Sequence, residues 1–518
     1  MEKVKTLVCK DDFFAKLRFV YIAFYLSFVG LMELIPVLNI VNLTILPSMI
    51  FNLIAVSGAL LLLADFITRG VLFKPKYAGI LILFFVFLAI SIIANVKYGV
   101  ADNLKTFVWS LIQIFLVASV DYDLENAAKL HKKHFKKIYD ITGFIWTLAA
   151  FYSICMFLGK YGAHVAIPGD SAAIRREGFI DGRLFGAFTD PNYAAIIAFT
   201  VAFVYLIWVI TSKNIAEKII RSVMIFINFC YIVLSASRTV EICLYLAALL
   251  AGFWGLWLYL EKKGVKTLVK IGASVLNGAL CLLLCVLLFM GSLSVLPYTT
   301  NFFGTMTVTG SNVIVPEEAP EVEEPVETPE ITVPDTGVDM TRPELENTTD
   351  ITNNRMYIWT EYLRVFQKAW LTGTSPRTTI QYADEYFDNF FVVDWNYSTH
   401  NAYLSLFVCT GLFGGLAAFL YLVLVVVEIL GYLIRKRKNV NDNYIAVLLL
   451  TLVLMAYAVC GFSYQIIFFN NMYVTVMFWV LLGYTRAFVR SGEPERIEKD
   501  TLPFRILSKV KNKVFKKA

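Results

Sequence analysis

The residues best suited to chemistry stand at the two ends of one polar segment. Arg355 opens it, and His400, one of only four histidines in the chain, closes it together with Asn401. A long apolar run, 402–430, follows at once. The start of a membrane helix carries the positive end of its dipole, which favours a neutral imidazole over the charged form. His400 is therefore predicted to be a neutral imidazole that is able to act as a base.

An arginine-rich segment lies earlier in the chain. It contains Arg176 and Arg183 and ends in Asp190-Pro191-Asn192, where a capping carboxylate and a proline predict the start of a helix. Two interpretations stay open. Either the arginines form local ion pairs within a structured loop, or they bind a phosphate in front of the helix N-terminus.

A third candidate is the tight turn between Ser235 and Glu241. Ser235 or Ser237 is predicted to cap the helix that follows, and Arg238 stands on its first turn. A salt bridge from Arg238 to Glu241, three residues further on, is the simplest explanation of the arginine. Ionisable groups at the membrane edge of a helix are also candidates for function, so an anion-binding role stays open.

Composition decides which elements hold these residues. Of 518 residues, 58% are hydrophobic and 17% are charged, and the mean hydropathy is +0.65. Apolar runs long enough to cross a bilayer recur along the chain, and in lipid such runs must be helical. The sequence therefore predicts an all-α polytopic membrane protein with about twelve transmembrane helices. The predicted spans are residues 19–38, 44–64, 77–96, 104–120, 138–158, 192–211, 218–236, 239–260, 267–291, 401–431, 443–463 and 466–488.

The charges of the loops predict the orientation. With a cytoplasmic N-terminus, most Lys and Arg residues fall in inner loops, and both termini lie inside. The net charge of +6 is then a consequence of topology and does not indicate nucleic-acid binding. His131 and His134 have HxxH spacing, but they fall in a basic inner loop and are interpreted as part of a solvated, lipid-facing run of charge.

The domain organisation follows from these spans. One long extracytoplasmic loop separates spans nine and ten, and its acidic, proline-rich part is predicted to be disordered because it cannot bury a core. The rest of that loop is predicted to be ordered and catalytic. The boundaries are 1–291 for spans one to nine, 292–400 for the loop (315–350 acidic, 353–400 ordered), 401–488 for spans ten to twelve and 489–518 for a basic cytoplasmic tail.

The order of the motifs resembles the O-antigen ligase and Wzy-type polysaccharide polymerase superfamily. The resemblance covers spans six to twelve, and the acidic insertion departs from it. The matching pieces are Gly182-Arg183-Leu-Phe-Gly186 with Asp190-Pro191-Asn192, Ser235-Ala-Ser237-Arg238, Arg355-Met-Tyr-Ile-Trp359, and His400-Asn401-Ala-Tyr403-Leu404 followed by Gly411-Leu-Phe-Gly414.

The resemblance implies a GT-C-like glycosyltransferase of the bacterial plasma membrane, active at the extracytoplasmic face and independent of metals and cofactors. Its donor would be an undecaprenyl-diphosphate-linked glycan, and its partners would include the bilayer, a flippase and a chain-length regulator. His400 would take the proton from the acceptor hydroxyl, and Arg355 would stabilise the diphosphate as it leaves. The substrate-binding residues would be Arg183, Arg238, Arg176, Asn192 and Asn401.

The reaction class leaves alternatives. We expect polymerisation of repeat units into a capsular, exopolysaccharide or O-antigen-type chain. A composition typical of an AT-rich bacterial genome, together with the acidic, proline-rich outer loop, favours this alternative. A ligase would use the same motifs to transfer the glycan to another acceptor. A transporter of lipid-linked glycan is the competing class, although no inverted repeat is visible in the sequence.

Overall fold

The computed structural model describes residues 11–34, 45–120, 128–167, 170–304, 313–314, 338, 340 and 354–492. Most of the predicted acidic insertion (315–350) and nearly all of the predicted basic tail (489–518) lie outside these residues. Long helices dominate the part that is described, and a small antiparallel sheet interrupts them.

The helices follow the apolar runs of the sequence. They are α1 (Asp11–Leu34), α2 (Ile45–Arg69), α3 (Ala78–Ala94), α4 (Ala101–Leu111, continued by a π-helical turn Ile112–Val117), α5 (Ala128–Leu158), α6 (Pro191–Thr211), α7 (Ile215–Leu234), α8 (Arg238–Lys262), α9 (Thr267–Thr299), α10 (Arg355–Lys368), α11 (Thr379–Tyr386), α12 (Phe391–Asp394), α13 (Ala402–Lys436), α14 (Asp442–Cys460) and α15 (Tyr473–Gly492). The strands are β1 (Gly162–Ile167), β2 (Asp170–Ile180), β3 (Arg183–Gly186) and β4 (Val313–Ile314).

Eight helices in the described part are long and apolar enough to cross a membrane: α1, α2, α5, α6, α8, α9, α13 and α14. The prediction of a helical polytopic membrane protein is thus confirmed. Each of the twelve predicted spans overlaps a helix, but the count of twelve is not confirmed. For example, α3 is only 17 residues long, and the first two turns of α7 carry Glu217, Lys218 and Arg221.

The chain divides into two compact units. The first consists of residues 1–27, 48–140 and 354–518, and the second of residues 28–47 and 141–353. In the first unit α13 packs against α3, and α14 packs against α15. A cluster of buried side chains, among them Ile358, Tyr362 and Val392, fixes α10 to α12.

The first unit contains a break in its longest helix. Gly411 in α13 has φ 72° and ψ −179°, which frees backbone carbonyls on the preceding turn. The loop before α11 satisfies them: the Thr374 amide donates to Val408 O (2.9 Å) and the Ser375 amide donates to Cys409 O (3.1 Å). On the other side of the break, the Leu412 amide donates to Trp370 O (2.7 Å). Buried backbone groups must be paired, so the loop and the break require each other.

The second unit contains the antiparallel sheet, with strand order β3-β2-β1-β4. Asp181 and Gly182 join β2 to β3, and both have positive φ (53° and 68°), as a two-residue hairpin turn requires. Among the helices of this unit, α6 packs on α7 and α8 packs on α9. The sequence analysis predicted an all-α chain, so this sheet is an addition to the predicted fold.

The interpretation of His131 and His134 as solvated residues is wrong. Both side chains are buried, at 3% and 7% exposure. The His134 ring stacks on Phe19 at 4.3 Å, and the His131 ring lies edge-on to Tyr484 at 6.4 Å. The two histidines therefore belong to the packing of α5.

The break in α13 predicts a strong effect of Gly411→Ala. A Cβ at this position would overlap the carbonyl oxygen of Leu371, and the positive φ is unfavourable for alanine. We expect the substitution to lower the free energy of unfolding by about 3 kcal/mol or more. The measurement is thermal unfolding of the detergent-solubilised protein.

Gly79→Ala is the matched control, because Gly79 is helical and a Cβ there would meet open space. It should leave the unfolding temperature unchanged or raise it slightly. Equal unfolding temperatures for the two variants would contradict the structural role of the break.

Candidate active site

Arg355 is the first residue of α10. Its guanidinium lies 5.2 Å from the centre of the Tyr464 ring, a cation–π contact. Within the described residues, it makes no ion pair and no hydrogen bond through its side chain. The half-buried guanidinium is therefore held in place while its N–H groups stay available for an anion.

Thr399, the residue before His400, contacts the helix that begins at Arg355. Its carbonyl oxygen accepts a hydrogen bond from the Trp359 indole, one turn after Arg355 (3.1 Å). Its hydroxyl accepts a hydrogen bond from Gln465, the neighbour of Tyr464. These two contacts bring the surroundings of Arg355 and His400 together, as the sequence analysis requires of a joint site.

His400 directly precedes the start of α13. Its φ of 43° is in the left-handed region, which is unusual for a residue with a side chain. The side chain is half-buried, and its ring centre lies 6.2 Å from that of Tyr397. Residues held in such conformations cluster at functional sites, which supports a role for His400 beyond packing.

Asn401 is the N-cap of α13. Its side-chain oxygen accepts hydrogen bonds from the amides of Tyr403 (3.0 Å) and Leu404 (2.9 Å), and the residue is 7% exposed. The Ala402 amide donates to Gly461 O (2.7 Å), which ties the same turn to the end of α14. Asn401 thus fixes the position of His400, and its predicted contact with substrate stays a prediction.

Arg183, in the second unit, follows the hairpin turn between β2 and β3. Its guanidinium donates to Asn192 Oδ1 (2.7 Å) and to the carbonyl oxygen of Ser235 (3.1 Å). Asp190 caps α6 by accepting from the amide of Asn192 (2.7 Å), so the predicted helix start is confirmed. Asn192 therefore orients Arg183.

The neighbouring arginines of β2 differ from each other. Arg176 is exposed, lies 3.5 Å from the Asp181 carboxylate and rests on the Phe185 ring. Arg175 is buried, donates to Ala187 O (3.2 Å) and lies 3.7 Å from the Glu177 carboxylate. Burial raises the pKa of Glu177, and the charge of Arg175 partly offsets that rise. Each of these two arginines thus has an acidic side chain nearby.

Arg238 is the first residue of α8 and is exposed. The predicted salt bridge to Glu241 is absent from the described residues, and Glu241 instead accepts a hydrogen bond from Tyr245 Oη (2.8 Å). Ser237 stands at the N-cap position of α8 as predicted, but its side chain makes no capping hydrogen bond, and its hydroxyl is buried without a partner among the described residues. Within the described part of the chain, Arg238 has no hydrogen bond or ion pair.

The sequence analysis missed Arg377. Its Nε donates to Thr106 Oγ1 (3.0 Å) and its Nη2 donates to Phe469 O (3.1 Å), which orients the guanidinium. The only signal in the sequence was an isolated arginine in the aromatic segment before His400. In the described ranges, no group of three or more His, Cys, Asp or Glu side chains is placed to hold a metal ion.

A family model described as O-antigen ligase matches residues 223–419. This stretch of the chain is similar to the O-antigen ligase family. It includes Arg238, Arg355, His400 and Asn401, whereas Arg183 lies before it. The superfamily resemblance deduced from the motifs is thereby confirmed. No protein of curated function matches the chain in a sequence comparison.

The hydrogen bonds of Asn401 predict how the stability of the protein changes when the N-cap of α13 is removed. Asn401→Ala leaves two amides of α13 unpaired and should lower the free energy of unfolding by about 1 kcal/mol. Asn401→Asp retains an acceptor and should unfold like the wild type. Thermal unfolding in detergent measures both, and an Asn401→Ala variant as stable as Asn401→Asp would show that the cap is not needed.

Proposed function

We propose that the protein polymerises undecaprenyl-diphosphate-linked repeat units into a surface polysaccharide at the outer face of the membrane. One observation carries the proposal. Arg355 has unpaired N–H groups, His400 has a strained backbone conformation, and Thr399 links the surroundings of the two residues within the stretch that the O-antigen ligase model matches. The multi-pass helical fold is consistent with a donor that resides in the bilayer. We also propose that the chain crosses the membrane twelve times and that both termini are cytoplasmic.

The reaction needs a base, a nucleophile and a stabilised leaving group. His400 takes the proton from a hydroxyl group of the acceptor sugar, and that oxygen attacks the anomeric carbon of the donor. The bond from this carbon to the diphosphate oxygen breaks, and the lipid diphosphate leaves with the electron pair. Attack from the side opposite the diphosphate gives inversion. Arg355 stabilises the charge that develops on the diphosphate, so this scheme needs no metal ion.

The arginines of the second unit have a supporting role in this proposal. Arg238 has no partner among the described residues, and Arg183 is oriented by two hydrogen bonds; both suit recognition of a diphosphate. Arg176 and Asn192 are proposed to bind the same substrate. Their roles rest on the superfamily resemblance and on these contacts.

A ligase is the second candidate, and the description of the matching family favours it. The same base and the same leaving group would then transfer a completed lipid-linked glycan to a different acceptor. The two functions differ only in the acceptor, and therefore in which intermediate accumulates when transfer fails.

The first test replaces His400 and Arg355 with alanine. Transfer should fall by about 10²-fold or more, because each substitution removes a group that acts in the transition state. The measurement is the length distribution of lipid-linked and surface glycan in cells that express each variant at the wild-type level. His164→Ala and Arg364→Ala are the controls, since they remove the same side chains elsewhere and should leave the distribution unchanged.

The glycan that accumulates decides between the candidates. Single repeat units on the lipid, with loss of long chains, support the polymerase. Long lipid-linked chains support the ligase instead. A normal distribution in both alanine variants would refute the transferase and favour transport of the glycan.

A second test concerns the orientation of Arg183. Arg183→Lys keeps the positive charge but cannot bridge Asn192 and Ser235 as a planar guanidinium does. We expect transfer to fall by about tenfold or more, from the loss of charge-assisted hydrogen bonds. Initial rates with purified protein and lipid-linked donor measure this. A lysine variant with wild-type rates would show that charge alone suffices at this position.

A further inference from the structure

A pocket of about 210 Å³ lies in the first unit. This volume would hold about seven water molecules. Its wall includes the residues just before His400, Asn396 to Thr399, and it also includes Arg377 and Gln465. Thr399 is the chain neighbour of His400, the residue that we propose as the base.

The rim of this pocket carries unused polar groups. Gln465 donates to Thr399, which leaves its side-chain oxygen as an acceptor. Asn396 and Ser398 are exposed and make no side-chain hydrogen bond with the described residues. The exposed Tyr397 ring adds a flat apolar surface. Several hydroxyl-binding groups beside an aromatic face fit the alternating polar and apolar faces of a sugar ring.

Arg377 gives the pocket its charge. Among the described residues that line the pocket, it is the only Asp, Glu, Lys, Arg or His. Nε and Nη2 each hold one anchor, Thr106 and Phe469, whereas Nη1 makes no hydrogen bond with the described residues. A fixed guanidinium with free N–H groups is suited to a carboxylate.

We propose that this pocket binds the acceptor sugar and that Arg377 selects a sugar that carries a carboxylate. The inference rests on the proposed transferase function, since it places the acceptor next to His400. Gln465, Ser398 and Asn396 bind the hydroxyl groups of the ring, and Tyr397 packs against its face. Arg377 is a specificity-determining residue and takes no part in bond formation.

The test measures sugar binding without turnover. Full-length protein in nanodiscs is titrated with glucuronate and, separately, with glucose, and binding is followed by saturation-transfer NMR. Glucuronate should bind more tightly than glucose, and Arg377→Gln should weaken glucuronate by about tenfold while leaving glucose unchanged. Lys97→Gln is the control, because it also removes an exposed positive charge, one paired with Glu385 outside the pocket.

Three results would overturn the proposal. The first is equal binding of the two sugars by the wild type, and the second is unchanged glucuronate binding in Arg377→Gln. The third is displacement of glucuronate by an equal concentration of inorganic diphosphate, which would assign the pocket to the leaving group. Each leaves the glycan-length test of His400 unaffected, so failure of the pocket and failure of the transferase are distinguishable.

Discussion

The interruption of α13 at Gly411 is the constraint on which the rest of the first unit depends. A helix that crosses lipid cannot leave its carbonyl groups unpaired, and a break creates such groups. Here the amides of Thr374 and Ser375 pair with them, so the loop before α11 is fixed against α13. Ser91 reinforces the junction by donating to the carbonyl oxygen of Cys409 (2.7 Å). The loop in turn carries Arg377 to the edge of the pocket.

The candidate residues stand at helix starts. In the first unit Arg355 begins α10 and His400 stands one residue before the N-cap of α13, and in the second unit Arg238 begins α8. The N-terminal amides of a helix and its dipole favour an anion, so each of these positions suits the binding of a diphosphate that we propose.

The sequence predicted the parts of this structure that depend on local pattern. The apolar runs gave the helices, and Asp190-Pro191 gave the start of α6. The Asp181-Gly182 pair is a strong signal for the hairpin between β2 and β3. The prediction rested on apolar runs of helical length, so it did not include this hairpin. The partner of Arg183 and the isolation of Arg238 could not be predicted, because they depend on which distant backbone groups come close in the fold. The same is true of Arg377, whose anchors belong to other parts of the first unit.

The backbone around the site is strained in a consistent way. Between residues 354 and 400, positive φ angles occur at five residues other than glycine: Asn354, Ser375, Asn389, Asn396 and His400. Asparagine and histidine adopt this conformation more often than most residues with a side chain, whereas serine adopts it at a higher cost. The hydrogen bonds described above offset that cost: Ser375 is held by α13, and His400 follows Thr399, which is held by α10 and by Gln465. These contacts fix the backbone on the N-terminal side of His400, which suits the general base that we propose at this position.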